Sequence, residues 1–292
     1  MVQFDGLRPA RLKVGVISAG RVGTALGVAL ERADHVVVAC SAISEESQRR
    51  ARRRLPDTPV LPAHEVAGSA ELLLLAVPDT ELAPMVAGLA ATAAVRPGTI
   101  VVHTSGANGI GVLAPLTEQG CLPLAIHPAM AFTGADEDIE RLTESCFGIT
   151  AADEIGYAIA EALTLEIGAQ PVRVDDSARV LYHAALCHGG NHVVTVIDDA
   201  LAALRVALAG DPDGVAERVL GPLVRAAVEN TLQHGRAALT GPIARGDAAT
   251  VVRHLAALNA AAPELAEAYR STALRTAQAV HAGDDVLTVL AR

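Results

Sequence analysis

From Leu12 to Val174 the sequence alternates short, almost wholly apolar runs with helix-patterned stretches. LKVGVI, HVVVAC, ELLLLAVP, TIVVHTS, CLPLAIHP, CFGITA and QPVRV each read as a strand. These runs lack the apolar–polar alternation of a half-exposed strand, so both faces must be covered, as in a parallel sheet flanked by helices. That constraint predicts an α/β fold whose residues 1–174 form a doubly wound parallel sheet. From Asp175 onward the β signal disappears. DDSARVLYHAALCHGGNHVVTVIDDALAAL reads as one long helix or two, GVAERVLGPLVRAAVENTLQHG as another, and the remainder as further helix broken near Pro263. Residues 175–292 are therefore expected to be an all-helical domain.

Composition narrows the function classes. Hydrophobic residues make up 51% of the 292 and aromatic residues only 2%, so Ala, Val and Leu must fill the core. A net charge of −10 disfavours nucleic acid as a partner. No apolar run approaches the roughly 20 residues of a spanning helix, so no membrane partner is expected. The N-terminal stretch has no long apolar core behind its charges, and the expected location is cytoplasmic. Cys40, Cys121, Cys146 and Cys187 are scattered without a CxxC pair. This predicts free thiols and neither a metal site nor a disulfide framework.

The stretch VGVISAGRVGTAL resembles a G-x-G-x-x-G phosphate-binding turn with Ser18, Gly20 and Gly23 at the three glycine positions. The second position lets a pyrophosphate approach the backbone and the third lets helix and strand pack closely. The amides around Ala19, Gly20, Arg21 and Val22, at the positive end of a helix, are expected to grip a diphosphate. The second strand ends in Ser41 and Ser44, with no carboxylate before Glu45. Hydroxyls there, an arginine block from Arg49 to Arg54, and Arg21 inside the turn favour NADP over NAD. The far end of the arginine block reads as a solvated helix face.

Several stretches in this order resemble one family across nearly the whole chain: LKVGVISAGRVGTAL, LLLLAVPDTELAPM, VVHTSGANGIGVL, LAIHPAMAF, YHAALCHGGNHVVTV and ALTGPIARGDAATVVRHL. It is the Rossmann-like family with a helical C-terminal domain of unknown function. It is similar to 6-phosphogluconate dehydrogenase relatives such as pyrroline-carboxylate reductase, ketopantoate reductase and deazaflavin-dependent NADP reductase. The resemblance implies an NADP-dependent oxidoreductase that reduces a small carbonyl, a 2-oxo acid such as ketopantoate, or an imine. Two positions depart from the family's pattern. Ser18 replaces the first glycine, and Ala42 stands near where many relatives carry Arg or Lys.

Hydride transfer needs a placed nicotinamide, exclusion of water and a proton donor. In open α/β sheets those groups gather beyond the carboxyl ends of the strands. Val77 and Pro78 are expected to wall the ribose and nicotinamide, with Asp79 capping the next helix. Ser105 and the Gly106 amide suit the nicotinamide amide or a substrate carboxylate, or else simply start a helix. His127 precedes Pro128, which favours an extended backbone. It is a candidate acid or substrate contact, because an imidazole titrates near neutrality. On the first long helix His183, Cys187 and Asn191 are four residues apart and share a face, as do His188 and Asn191.

The related dehydrogenases place a Lys and an Asn about one turn apart on this helix, and this sequence has no Lys there. His183 or His188 is the available donor, with Asn191 orienting the substrate; Tyr182, a substrate contact, is the other possible donor. The same side chains can also serve as packing groups. Gly189 and Gly190, in mid-helix, suit the close approach of a ligand or another helix. Arg245 is placed to hold a substrate carboxylate, across a dimer if a second subunit's helices complete the site as in related reductases. Asp247 reads as a helix cap. The Ala-rich helical domain is expected to form a homodimer. The missing Lys keeps open a second function, a nucleotide-binding sensor or scaffold without catalysis.

Overall fold

The structure, a computed structural model, describes residues 11–210 and 213–291. Seven strands form one sheet: β1 (Lys13–Ile17), β2 (Val36–Cys40), β3 (Leu72–Leu75), β4 (Ile100–His103), β5 (Leu122–Pro128), β6 (Cys146–Ala151) and β7 (Gln170–Arg173). Around them lie α1 (Arg21–Arg32), α2 (Glu45–Arg54), α3 (Ala63–Ser69), α4 (Asp79–Ala91), α5 (Ala114–Thr117), α6 (Glu137–Arg141) and α7 (Glu154–Glu166). The strand order is β2-β1-β3-β4-β5-β6-β7. Every pairing is parallel except β5–β6, where His127 sits opposite Gly148. The sheet is thus mostly parallel, with β6 and β7 reversed.

β3 explains why the apolar runs lack alternation. Leu72 and Leu74 enter the core that α1 covers, while Leu73 and Leu75 enter the core beneath α4 and α5. Each leucine taken from water contributes about 2 kcal/mol, so both faces of the strand favour a covered position. The strand order turns back on itself at β1, which opens the crevice where such sheets bind ligands.

The helical elements that follow are α8 (Arg179–Ala207), α9 (Val215–His234), α10 (Ala248–Ala261), α11 (Pro263–Ala279) and α12 (Asp284–Leu290). The chain divides into two compact units, one ending at His188 and the other beginning at Gly189, inside α8 and beyond the end of the strand series. In the second unit Val251, Leu255, Ala273, Ala277, Val286 and Leu290 form a small core joining α10, α11 and α12. Among the described residues nothing lies within 4 Å of a Cβ added at Gly189 or Gly190, so neither glycine answers a close approach within the chain. Val194, Leu223 and Leu232, on α8 and α9, are exposed. All four cysteines are free. Among the described residues no helix is long and apolar enough to cross a membrane, and no group of three or more His, Cys, Asp or Glu could hold a metal ion.

The β1–α1 turn is set by two backbone facts. Ser18 adopts φ +72°, the left-handed region where a first glycine would sit at no cost. A Cβ on Gly23 would lie 2.2 Å from the Ser18 carbonyl oxygen, so only glycine lets α1 come this close to β1. Replacing Ser18 by Gly is expected to change stability by no more than about 1 kcal/mol. Ser18→Val and Gly23→Ala should each cost about 2 kcal/mol or more. Urea unfolding midpoints check this, and equal midpoints for all four proteins would contradict the turn geometry.

Candidate functional site

Two clusters open on the carboxyl edge of the sheet in the first unit. The first is a crevice of about 510 Å³ at the β1 switch point, within the size range of ligand sites. Ser18, Gly20 and Arg21 line it from the turn, Ser41 and Ser44 from the end of β2, and Val77 and Pro78 from the end of β3. Ala19 is buried, and its amide donates to Ser41 O at 2.7 Å. The Ser18 amide donates to Ser41 Oγ at 3.0 Å. Both amides are therefore committed to fixing the turn. Those that open α1, at Arg21, Val22 and Gly23, have no preceding turn to bond to and remain for an anion.

Around them the donor set is cationic and hydroxylic. Arg50 lines the crevice and is held by an ion pair with Glu46 one turn earlier. Two carboxylates, Glu46 and Glu81, line the crevice with the two cations Arg21 and Arg50, and Glu46 is paired with Arg50. Ser44 caps α2, its Oγ accepting from Ser47 N at 3.1 Å. The arginine block divides three ways. Arg49 and Arg53 are exposed, and Arg50 faces the crevice. Arg54 is buried and donates to Gly134 O, Ala135 O and Asp136 Oδ1, pinning the loop after β5. Asp79 is the first residue of α4, behind Pro78, and makes no side-chain cap; the expected cap is absent because the helix begins one residue earlier than a cap at Asp79 requires.

The second cluster lies over β4, β5 and β6. His127 Nδ1 is 3.1 Å from Tyr182 Oη, and the two rings meet edge to face. His183 meets His127 edge to face at 5.8 Å, and its Nε2 is 3.5 Å from Cys187 Sγ. Gly106 is enclosed by these rings: an added Cβ would lie 2.6 Å from His183 Cδ2 and 2.9 Å from His127 Nε2. Tyr182 closes on Gly148, where a Cβ would meet its hydroxyl oxygen at 2.5 Å. Burial pushes the His127 imidazole down to about 4, with the Arg179 and His183 charges adding to the effect. His127 is therefore neutral at pH 7 and has no imidazolium proton to give. Burial raises the Tyr182 phenol, and the Arg179 charge opposes that rise. The phenol stays protonated at pH 7, with a hydrogen available for transfer.

The loop bearing Ser105 and Gly106 is fastened from within. His103 Nδ1 accepts from the Ser105 amide at 3.2 Å, which leaves Nε2–H to donate to Gly109 O at 3.1 Å. Ser105 Oγ accepts from Asn108 N and Nδ2, so the hydroxyl keeps only its own hydrogen for a ligand. Asp176 Oδ1 accepts from the Ile110 amide at 2.7 Å. His188 is exposed on α8. Asn191 and Arg245 belong to the second unit and are exposed. Asp247 caps α10, its Oδ1 accepting from the Thr250 amide at 3.0 Å.

Sequence inspection singled out neither His103 nor Arg179. A basic residue opening a helix opposes the helix dipole, and that was the available signal for Arg179.

Burial holds His103 at about 4 against an unfolded value near 6.5. As pH falls the unfolded chain takes up its proton first. The contribution of His103 is thus complete above pH 6.5 and is lost as pH falls through 4, an effect on the order of 3 kcal/mol. Urea midpoints at pH 7 and pH 4.5 are expected to differ more in the native protein than in His103→Gln. Parallel losses in the two proteins would contradict the neutral, buried role.

Residues 2–128 match the Rossmann-like domain, and residues 145–276 match a domain of unknown function, DUF2520. The fold is similar to that of a candidate NADP oxidoreductase from Bacteroides fragilis, with TM-score 0.74 and 21% identity over 92% of this chain and 98% of that one. It is also similar to a reductive aminase from Aspergillus terreus solved with NADPH and ethyl-5-oxohexanoate, with TM-score 0.66 and 15% identity over 96% of this chain and 98% of that one. A pyrroline-5-carboxylate reductase from Coxiella burnetii matches with TM-score 0.56 and 15% identity over 93% and 99%. No curated protein matches the chain.

Proposed function

Since the chain is a Rossmann-like protein whose C-terminal part is a DUF2520 domain, we propose that it is an NADP-dependent reductase of a small carbonyl or imine substrate. A 2-oxo acid such as ketopantoate is the first substrate to try. The observation that carries this reading is that the crevice of the glycine turn and the Tyr182–His127 pair open on the same edge of one sheet. β5 lies three strands from β1, about 14 Å at normal strand spacing, a span that an extended dinucleotide bridges. A bound nicotinamide supplies the hydride.

The chain's residues do the rest. The α1 amides and the dipole of that helix hold the diphosphate. Arg21 and Arg50, with the Ser41 hydroxyl, meet the 2′-phosphate that distinguishes NADP from NAD. Val77 and Pro78 give the ribose an apolar wall. The Ser105 hydroxyl and the Gly106 amide orient the substrate or the nicotinamide amide. With its proton on Nδ1, neutral His127 donates to Tyr182 Oη and leaves the phenol's own hydrogen for the substrate oxygen or nitrogen. Tyr182 is thus the donor, while His127 and His183 shape its surroundings.

Tyr182→Phe is expected to lower kcat by 10²–10⁴-fold while leaving the KM for NADPH within about threefold. The assay follows NADPH absorbance against a panel of 2-oxo acids and cyclic imines. Oxidation by the variant at the native rate would remove Tyr182 from the mechanism. No oxidation by either protein with any member of the panel would count against the reductase itself.

The same reading includes a homodimer through the helical unit. Val194, Leu223 and Leu232 leave apolar surface on α8 and α9 uncovered, and Gly189 and Gly190 leave room for a second copy's helix. Light scattering after size exclusion should give twice the chain mass, and Leu232→Glu should lower it. A native protein of single-chain mass at micromolar concentration would contradict the dimer.

A further inference from the structure

Arg179, the first residue of α8, is fully buried. Its Nε donates to Thr150 Oγ1 at 2.9 Å, and its Nη2 donates to Ala125 O at 3.0 Å and Gly148 O at 3.1 Å. All of these acceptors are neutral, and Nη1 is buried without a partner. The cation also stands at the positive end of its own helix, where charge of that sign is disfavoured. No carboxylate bonds to it, Asp176 acts on it only through space, and a buried charge without a bonded counter-ion is costly. The guanidinium carbon lies 5.8 Å from the centre of the Tyr182 ring, one turn along α8, within the range of a cation acting on an aromatic face.

These unfavourable features have one compensation in common. During reduction the substrate carbon gains a hydride, and the π pair of the C=O or C=N bond moves onto the oxygen or nitrogen. That atom takes the proton of Tyr182. The Tyr182 O–H bond breaks, its electron pair remains on the phenolate oxygen, and water later returns the proton. A negative charge therefore appears beside a cation that no carboxylate bonds. Preorganised charge of this kind lowers the barrier because nothing must reorient as the reaction proceeds.

We propose that Arg179 is a positioning residue whose guanidinium fixes Tyr182 against β6 and supplies the positive charge that stabilises the phenolate left by proton transfer. The proposal rests on Tyr182 being the donor. The same charge acts on His127, which is faced by Arg179, Tyr182 and His183 on α8, by Asp79 on α4 and by His103 on β4. His127 therefore reports the field without any substrate.

The test follows the His127 ring by NMR from about pH 2.5 to 8 in the full chain, assigned with His127→Gln, in the native protein, Arg179→Lys and Arg179→Met. In Arg179→Met the His127 midpoint should rise by about one pH unit, because a neighbouring like charge has gone. In Arg179→Lys it should stay near the native value. Turnover should fall at least 30-fold in kcat for Arg179→Met at unchanged KM for NADPH, and less than tenfold for Arg179→Lys.

An unchanged His127 midpoint in a folded Arg179→Met protein overturns the proposal. If Arg179→Met does not fold, Arg179→Lys decides: a native-like His127 midpoint with retained kcat supports the proposal, and loss of either overturns it. Where no substrate turns over at all, the reductase reading fails while the histidine titration still decides the role of Arg179.

Discussion

Arg179 donates from one guanidinium to Ala125 O on β5 and to Gly148 O and Thr150 Oγ1 on β6, and so ties the first turn of α8 to two strands that run in opposite directions. Tyr182 and His183 follow on that helix, three and four residues on, so their rings come to the edge of the sheet where β5 delivers His127. Gly148 lacks a side chain where the Tyr182 hydroxyl arrives, and Gly106 lacks one where the two imidazoles meet. Had either glycine a Cβ, the rings could not reach these positions. The Tyr182–His127 cluster, to which we assign proton donation, is thus a consequence of how one buried cation anchors a helix.

The crevice proposed for the nucleotide rests on a different constraint. The β1–α1 turn closes because Ser41 receives two amides of the turn, one on its hydroxyl and one on its carbonyl. Ser18 accepts a left-handed backbone that glycine would take without strain. What remains unbonded is the opening of α1, with Arg21 and Arg50 on the same crevice wall. The helix opening and the two arginines favour an anion, and Glu46, one of the two carboxylates on the lining, is already paired with Arg50. The two halves lie along one sheet edge, joined by the Ser105–Gly106 loop that His103 and Asp176 hold from behind.

Much of this was legible in the sequence, and the limits have physical causes. Leu72 to Leu75 announced a strand covered on both faces, and Gly20 and Gly23 announced a close turn from strand to helix, because those signals are local. The reversal of β6 was not legible, since CFGITA buries the same side chains whichever way the strand runs. His127 and Tyr182 were each singled out, but their contact spans 55 positions and only the folded chain shows it. Arg179 and His103 escaped notice because a buried polar residue is recognised by its partners, and those partners are main-chain carbonyls and amides and one threonine hydroxyl, which carry no sequence signature. Ala19 appeared among the phosphate-binding amides, but its hydrogen belongs to Ser41 O, a bond between two loops that neither loop predicts alone.

Coenzyme binding by the native chain decides the matter most directly. Isothermal titration at pH 7 with NADPH and then with NADH should give one site per chain for NADPH and at least tenfold weaker binding for NADH, with the preference reduced in an Arg21→Ala/Arg50→Ala double variant. No saturable heat with either coenzyme would contradict the dinucleotide site. Equal affinities that the double variant leaves unchanged would contradict the role given to the two arginines.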